Sequence, residues 1–384
     1  MKIAMFTDTY LPARDGVVTS ILVTKKQLES MGHTVYLFAP APKDPKHREE
    51  GVYYFKAMSF SKYQGYTIPL FPTDKCHILK GLDVDVIHTH GLLFQGLRSM
   101  LAGKALKLPV VVTWHTMVND AARYYNFTPF PEWLVDMLMW RYLKSLCTRA
   151  EAVVAPTNAI KVELLKYAPR MRQIAVVPTG IDCDRFRPEN DGSAIRKKLG
   201  INDKKVILTL GRIAREKNLE LILNGFKLLR QSRDDVVLVI AGQGPARSYY
   251  EQMVWDLGIG KDVIFTGFVG DDELPEYYAA CNAFTLASMF ETQGLVVLEA
   301  MATGKPVSGI SFRAVAEIIK DGKNGFAFLD EQGWSDATNR ALDASPELKR
   351  EARTTAEGYD LKIAAEKLVD LYGVAIRSKK ARLR

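Results

Sequence analysis

Residues 205–218 read KVILTLGRIAREKN. An apolar run from Val206 to Leu210 ends at Gly211, and the composition then turns polar. Such a run, without alternation, fits a strand covered on both faces. Arg212 follows the glycine, and Lys217 is expected to open the next helix. A strand that passes through a tight turn into a helix is the building unit of a doubly wound parallel sheet. Two cations at the mouth of a helix make a seat for a diphosphate, because a forked guanidinium, an ammonium and outward backbone N–H groups converge there. The same residues also fit a surface Arg and Lys beside a turn.

The pattern recurs on both sides of this stretch. Upstream, KIAMF, TVYLFA, VDVIHTH, PVVVTWH, AVVAPT and IAVVP read as strands, with helices expected near 17–31, 92–107, 132–148 and 158–167. Downstream, VVLVIAG, VIFTGF, AFTLAS, PVSGI and GFAFL follow, with helices near 217–231, 247–257, 273–280, 295–303 and 314–320. Between the two series lies TGIDCDRFRPENDGSAIRKK, a polar segment near 180–200 with no strong period. The expected fold class is α/β: two Rossmann-like doubly wound domains facing a central cleft, with ligands outside the carboxyl ends of the strands. The expected domains are 1–190 and 191–360, followed by a segment 361–384. That last segment is read as a helix crossing back to the first domain plus a basic tail.

Composition narrows the class. A chain of 384 residues holds two domains at roughly 150 residues each. Hydrophobic residues at 47% and charged residues at 25% are ordinary for a globular protein, and exclude a disordered chain, a collagen-like repeat or a membrane bundle. Four cysteines without a C-x-x-C pair exclude a disulfide scaffold and a thiolate zinc site, and point to a reducing compartment. No apolar run is long enough to span a bilayer, and MKIAMFTDTYLP reads as a strand and loop rather than a signal peptide. The expected location is cytoplasmic, peripheral on the inner face of the cell membrane if a lipid is involved. Residues 1–190 carry 24 basic and 17 acidic side chains, whereas residues 191–384 carry 28 and 27. The excess in the first half suits an anionic partner, such as a membrane surface or a phosphorylated acceptor, and equally suits solubility alone. Its basic residues are scattered, without the aromatic interleaving of an RNA-binding surface, so no nucleic acid is expected.

A second informative stretch is SMFETQGLVVLEAMATGKPV, residues 288–307. Glu291 precedes the expected helix and Glu299 lies inside it. Thr292, Gln293, Gly294 and Leu295 sit at the helix start, where unpaired N–H groups point outward. Gly294 lets the backbone approach a ligand closely. A nucleotide sugar has a diphosphate flanked by ribose and hexose. With the diphosphate on the helix end, a carboxylate on either side can accept hydroxyl hydrogen bonds from one flank. Two ordinary helix glutamates, Glu291 favouring the N-terminal dipole, are the alternative.

These residues carry a family resemblance. GRIAREKN (211–218), AGQGP (241–245), GF (267–268), ETQGLVVLE (291–299) and GKPV (304–307) occur in an order that resembles the retaining family 4 glycosyltransferases of GT-B fold. TDTYLPARDGVVTSI (7–21), DVIHTHG (85–91), TWHT (113–116), VVAPTNA (153–159) and VVPTGIDCDRFRP (176–188) extend the likeness over nearly the whole chain. ETQGL and TWHTMVNDAARYY (113–125) look most like the branch that glycosylates diacylglycerol-type lipids, although other branches often have Phe or Gly where this chain has Gln293. The resemblance implies that Arg212 and Lys217 hold the donor diphosphate, that Glu291 binds sugar hydroxyls and that Glu299 binds the ribose. It implies that Thr292, Gln293, Gly294 and Leu295 offer backbone donors, and that Gly16 and Val17, in the loop after the first strand, reach the diphosphate. It places His115 against the donor sugar, and Phe268 and Val269 near the base. A UDP- or GDP-sugar is then the co-substrate, with no cofactor and no metal. The acceptor is a membrane lipid, or else a soluble sugar or phosphorylated small molecule. A non-catalytic nucleotide-sugar-binding protein on the same fold is a further alternative.

The remaining motifs have plainer readings. Asp83–Asp85 matches a metal-binding D-x-D pattern but opens a strand, and reads as a turn. His88 and His90 share one strand face with no third ligand expected nearby. AGQGPAR lacks the full dinucleotide fingerprint, so its glycines are assigned to a tight turn. Residues 130–147, FPEWLVDMLMWRYLKSLC, read either as a buried helix or as one presenting aromatic side chains to a bilayer, with Arg141 and Lys144 at the headgroups. RSKKARLR, residues 377–384, reads as a solvated tail that could add electrostatic membrane attachment.

Overall fold

The computed structural model describes residues 1–59, 67–69, 76–115 and 131–384. Most of TWHTMVNDAARYY, from Thr116 onward, lies outside the described residues, as does Phe130. The chain forms two compact units, one of residues 1–180 with 361–384 and one of residues 181–360.

Unit 1 holds β1 (Lys2–Phe6), β2 (Thr34–Pro40), β3 (Val52–Phe55), β4 (Ala57–Ser59), β5 (Thr67–Pro69), β6 (Val86–Thr89), β7 (Val110–Thr113), β8 (Ala152–Ala155) and β9 (Ile174–Val176). Seven of them form one sheet in the order β3-β2-β1-β6-β7-β8-β9, and every pairing in it is parallel. β4 and β5 make a separate antiparallel pair. Alternate side chains of each strand enter opposite cores, as strand periodicity requires. On one face Phe6, Phe38, Phe55 and Val112 meet helices Phe94–Ala105, Glu132–Arg149 and Asn158–Tyr167. Phe6 stacks on Phe38 at 4.6 Å between ring centroids. On the other face Ile3, Met5 and Val111 meet Ile21 of helix Gly16–Ser30 and Leu368, Leu371 and Tyr372 of the terminal helix.

That terminal helix runs from Leu361 to Leu383, well into the segment read as a solvated tail. The reason is electrostatic. Glu151 has a side chain only 1% exposed, and Arg172, Lys379 and Arg382 converge on its Oε1. A buried carboxylate needs compensating charge, and two of the tail cations supply it.

Unit 2 holds β10 (Lys205–Leu210), β11 (Val236–Ala241), β12 (Val263–Gly267), β13 (Ala283–Leu286), β14 (Val307–Ile310) and β15 (Phe326–Phe328). They form one parallel sheet in the order β12-β11-β10-β13-β14-β15. The split between units falls between Gly180 and Ile181, ahead of the expected residue 190. Ile181 donates its N–H to the Tyr359 carbonyl, and Phe186 packs edge-on against Tyr278, so residues 181–190 belong to the second core. Two helices absent from the sequence reading, Glu331–Leu342 and Pro346–Glu357, complete this unit. The first inserts Trp334, fully buried, whose indole N–H donates to Thr285 Oγ1 at 2.8 Å.

In each sheet the strand order reverses once, between β1 and β6 in unit 1 and between β10 and β13 in unit 2. Loops leaving the strands at such a reversal diverge and open a crevice at the carboxyl ends, where ligands of doubly wound folds bind.

Candidate functional site

In unit 2 the crevice is flanked by the loops after β10 and β13, which carry the two stretches singled out above. A small cavity there is lined by Gly211, Arg212, Lys217 and Leu286. The two loops are joined by one ion pair: Lys217 Nζ donates to Glu291 Oε1 at 2.7 Å. Burial works to raise the Glu291 carboxyl, but the Lys217 ammonium and the Ser288 hydroxyl outweigh it and hold the group below its ordinary value.

Lys217 does not open a helix. It ends a separate 3₁₀ turn, Arg215–Lys217, because Asn218 adopts a left-handed conformation (φ 54°) before helix Leu219–Leu229 begins. The break turns Lys217 toward Glu291 instead of continuing it along a helix. Arg212 pairs with Glu216 of its own loop. Glu216 is buried and escaped the sequence reading, although its i,i+4 spacing from Arg212 is the usual sign of such a pair.

Gly294 has φ 81° and caps helix Leu295–Ala302, with no side chain bonded to the cap. Thr292 and Gln293 precede it, and Gln293 is buried. Glu299 lies inside this helix, buried, and accepts the Tyr278 hydroxyl at 2.6 Å. Burial raises its carboxyl above the ordinary range, opposed by that hydroxyl and by the charge of Arg185. Tyr278 and Arg185 are further residues the sequence reading missed. Phe268 is 61% exposed just beyond β12, whereas Val269 is buried, so only the first of that pair offers a side chain at the surface.

The glycines of AGQGP let the loops after β10 and β11 touch through their backbones. A Cβ on Gly242 would lie 1.9 Å from the Gly211 carbonyl oxygen, and one on Gly244 would lie 2.1 Å from that of Ile213.

In unit 1 the reversal places the loop after β1 beside the loop after β6. Gly16 is the first residue of helix Gly16–Ser30 rather than a loop residue, and Asp15 caps that helix by accepting the N–H groups of Val17 and Val18 at 2.9 Å. The Val17 donor is thereby already engaged. Asp8, unnoticed in the sequence, accepts N–H groups of Leu93 and Gln95 and so caps the helix that follows β6. Burial raises its carboxyl, against those hydrogen bonds and the charge of Arg98. The sequence signal was a helix start at Leu93 lacking a capping side chain of its own.

His88 of β6 and His90 just past its end lie side by side, and a third imidazole stands next to His90. His115, just past β7, lies with Nε2 2.8 Å from His90 Nδ1. The parallel register that sets His88 beside Val111 brings the two strand ends together. His88 spends both ring nitrogens, one on Tyr372 and one on Thr113, each at 2.6 Å. Among the described residues no group of three His, Cys, Asp or Glu side chains is arranged to hold a metal ion. Asp83 and Asp85 sit at the opposite, amino end of β6, where Asp85 accepts the N–H of Lys2.

Helix Glu132–Arg149 has two characters. Leu143, Leu146 and Cys147 enter the core, while Trp133 (68% exposed), Met137 and Leu138 face outward, with Arg141 and Lys144 exposed further along. Among the described residues no helix is long and apolar enough to cross a membrane.

Two family models cover most of the chain: Glycosyltransferase Family 4 over residues 14–185 and Glycosyl transferases group 1 over residues 191–359. The chain is 33% identical over 363 residues to an alpha-monoglucosyldiacylglycerol synthase of Streptococcus pneumoniae, covering 91% of this chain and 80% of that protein. It is 28% identical to the alpha-monoglucosyldiacylglycerol synthase of Acholeplasma laidlawii, covering 85% of each. Its fold resembles the crystal structure of Anabaena HepE in complex with UDP, with a TM-score of 0.78 at 19% identity, over 96% of this chain and 99% of that one.

Proposed function

This chain belongs to the family 4 glycosyltransferases of GT-B fold, and from that premise we propose that it moves a hexose, with retention, from a nucleotide-diphosphate sugar to a hydroxyl of a diacylglycerol-type membrane lipid. The observation that carries the reading is the Lys217–Glu291 pair, which ties the cationic loop to the E-x7-E loop at the switch point of unit 2. Arg212, Lys217 and the N-terminus of helix Leu295–Ala302 receive the diphosphate, with Thr292 to Leu295 supplying backbone donors. Glu291 accepts hydrogen bonds from the sugar and Glu299 from the ribose. Phe268 and Val269 lie by the base. By the family resemblance, Gly16, Val17 and His115 of unit 1 are assigned to the donor as well.

The chemistry follows from charge. As the glycosidic bond breaks, negative charge builds on the leaving diphosphate. Fixed cations and N–H dipoles stabilise it without reorganising, which is electrostatic catalysis. They supply the countercharge a divalent metal would otherwise bring, so turnover is expected to survive excess EDTA. The acceptor hydroxyl attacks the same face the diphosphate leaves, and the departing phosphate oxygen takes its proton. No protein nucleophile is needed.

The lipid acceptor is supported by the names of the two relatives and by the outward face of helix Glu132–Arg149. Trp133, Met137, Arg141 and Lys144 recur at helical spacing on that face, apolar side chains first and cations after, the pattern of a helix resting in a membrane interface. A peripheral position at the inner face of the cell membrane is the location this reading proposes.

Two measurements test the reading. A thermal-shift panel of nucleoside diphosphates and their sugars should show stabilisation by one UDP or GDP series, because a ligand that binds only the folded state raises its melting temperature. Transfer from UDP-glucose and GDP-mannose to diacylglycerol in anionic vesicles should then give a glycolipid with the anomeric configuration of the donor. Transfer to water-soluble sugars with none to lipid would refute the lipid acceptor.

A further inference from the structure

In unit 2 the second carboxylate of the E-x7-E loop has one directed partner. Glu299 is 9% exposed, and its Oε2 accepts the Tyr278 hydroxyl at 2.6 Å. Tyr278 belongs to helix Leu274–Ala280 and is fully buried. Its ring meets Phe186 edge-on at 5.6 Å and Phe284 at 5.7 Å between centroids. These two aromatic neighbours hold the ring, and the ring sets where its hydroxyl points. Burial and the charge of Glu299 push the phenol well above its ordinary value, so Tyr278 keeps its proton and is the donor. Arg185 reaches Glu299 through charge alone, for its guanidinium bonds Asp271 instead. Among the described residues nothing bonds Glu299 Oε1.

We propose that Tyr278 is a positioning residue: by occupying Oε2 it orients Glu299 so that Oε1 alone meets the ribose, and it thereby sets the preference for ribose over deoxyribose nucleotides. The proposal rests on the reading that Glu299 binds the ribose, and it involves unit 2 alone.

A buried carboxylate needs donors for the lone pairs of both its oxygens. Tyr278 supplies one, and a ligand hydroxyl on Oε1 supplies the other. Glu299 lies just over one turn into helix Leu295–Ala302, whose N-terminus is the proposed seat of the diphosphate. The ribose is the hydroxyl-bearing group next to that diphosphate. A glutamate side chain has several rotamers, and without a fixed donor the carboxylate would exchange among them. The Tyr278 bond selects one orientation before the nucleotide arrives, which removes that ordering cost from binding. A tyrosine that only satisfied a buried carboxylate would support the fold and leave ribose selection alone. Deoxynucleotides separate the two roles.

Calorimetric titration of the full chain with UDP and with GDP selects the base. The 2′-deoxy and 3′-deoxy forms of that nucleotide then report the ribose contact. The wild type should bind the ribonucleotide about tenfold tighter, or more, than at least one deoxy form, the worth of a hydrogen bond to a charged group. Tyr278→Phe keeps the ring and should remove most of that ratio, with affinity for the deoxy form nearly unchanged. Equal weakening of both nucleotides, or an unchanged ratio, overturns the proposal. Glu299→Gln should also remove most of the ratio. Adding Tyr278→Phe to Glu299→Gln should then change nothing further, since Tyr278 acts only through that carboxylate. The double variant carries no charge at position 299, so it decides should Tyr278→Phe alone fail to fold. A further loss of ribonucleotide affinity in it overturns the proposal. A wild type that does not distinguish the nucleotides, or a ratio that survives Glu299→Gln, removes the ribose contact itself while leaving the diphosphate seat standing. Binding of neither UDP nor GDP refutes the proposed function and this inference together.

Discussion

At the switch point of unit 2 the polar side chains are ions in pairs: Lys217 with Glu291 and Arg212 with Glu216. At the switch point of unit 1, beside the Asp8 that caps the helix after β6, stand imidazoles kept neutral by burial. The sheets have the same parallel grammar and each reverses order once. All six histidines of the chain fall in unit 1 and none in unit 2. One backbone plan has thus been furnished in two ways. The charged set suits a ligand whose own charge changes during reaction. The neutral set suits hydroxyl groups, which need directed donors and acceptors but no countercharge.

The contrast can be broken most forcefully with acid. His88 and His115 titrate near 3 and 4 in the native protein, and His90 well below its ordinary value, against about 6.5 when unfolded. Between those values the unfolded chain binds more protons than the native one, so stability is full above about 6.5 and falls as pH drops. Each imidazole removes up to about 1.4 kcal/mol per pH unit, a large share of a typical domain's stability when three act together. Hydrogen exchange at pH 7 and pH 5, corrected for intrinsic rates, should show β6 and β7 losing protection while β10 and β13 keep theirs. Equal losses in both units would erase the distinction.

Next in size is Lys217→Ala. With saturating donor it should lower kcat by roughly 10²–10³, as loss of one fixed oxyanion donor does elsewhere. Normal turnover in steady-state assays would deprive the paired ions of their role. Smaller again is the double variant Lys379→Ala, Arg382→Ala, which leaves the buried Glu151 with Arg172 alone of its three cations. It should cost unit 1 roughly 1–3 kcal/mol in urea titrations, and adding Glu151→Gln should recover part of the loss. The smallest effect is expected at the outer surface of unit 1. Arg141→Ala and Lys144→Ala should each weaken binding to anionic vesicles by about 1 kcal/mol at low salt, a difference that high salt should abolish in flotation assays. Salt-independent binding would assign the surface to apolar contact through Trp133 and Met137.

Much of this plan was readable before any coordinates. The apolar runs that became β1, β10 and β11 lack alternation, which only a sheet covered on both sides tolerates. Motifs at the ends of such runs fall at carboxyl edges as a matter of topology. What escaped was set by contacts remote in sequence. The partnership of His90 with His115 depends on the lateral pairing of β6 and β7, which no local period encodes. The 3₁₀ turn that redirects Lys217 depends on one left-handed residue, Asn218. RSKKARLR looks like a solvated tail until Glu151 is seen buried beneath it. The capping role of Asp8 spans 85 residues of chain to Leu93.

The backbone contact between Gly211 and Gly242 also bears on engineering. Anyone diversifying this protein to accept a different donor should leave positions 242 and 244 untouched, since a single methyl group there would wedge two neighbouring turns apart. Randomising Phe268, whose side chain projects outward, offers a mutant library a far gentler starting point.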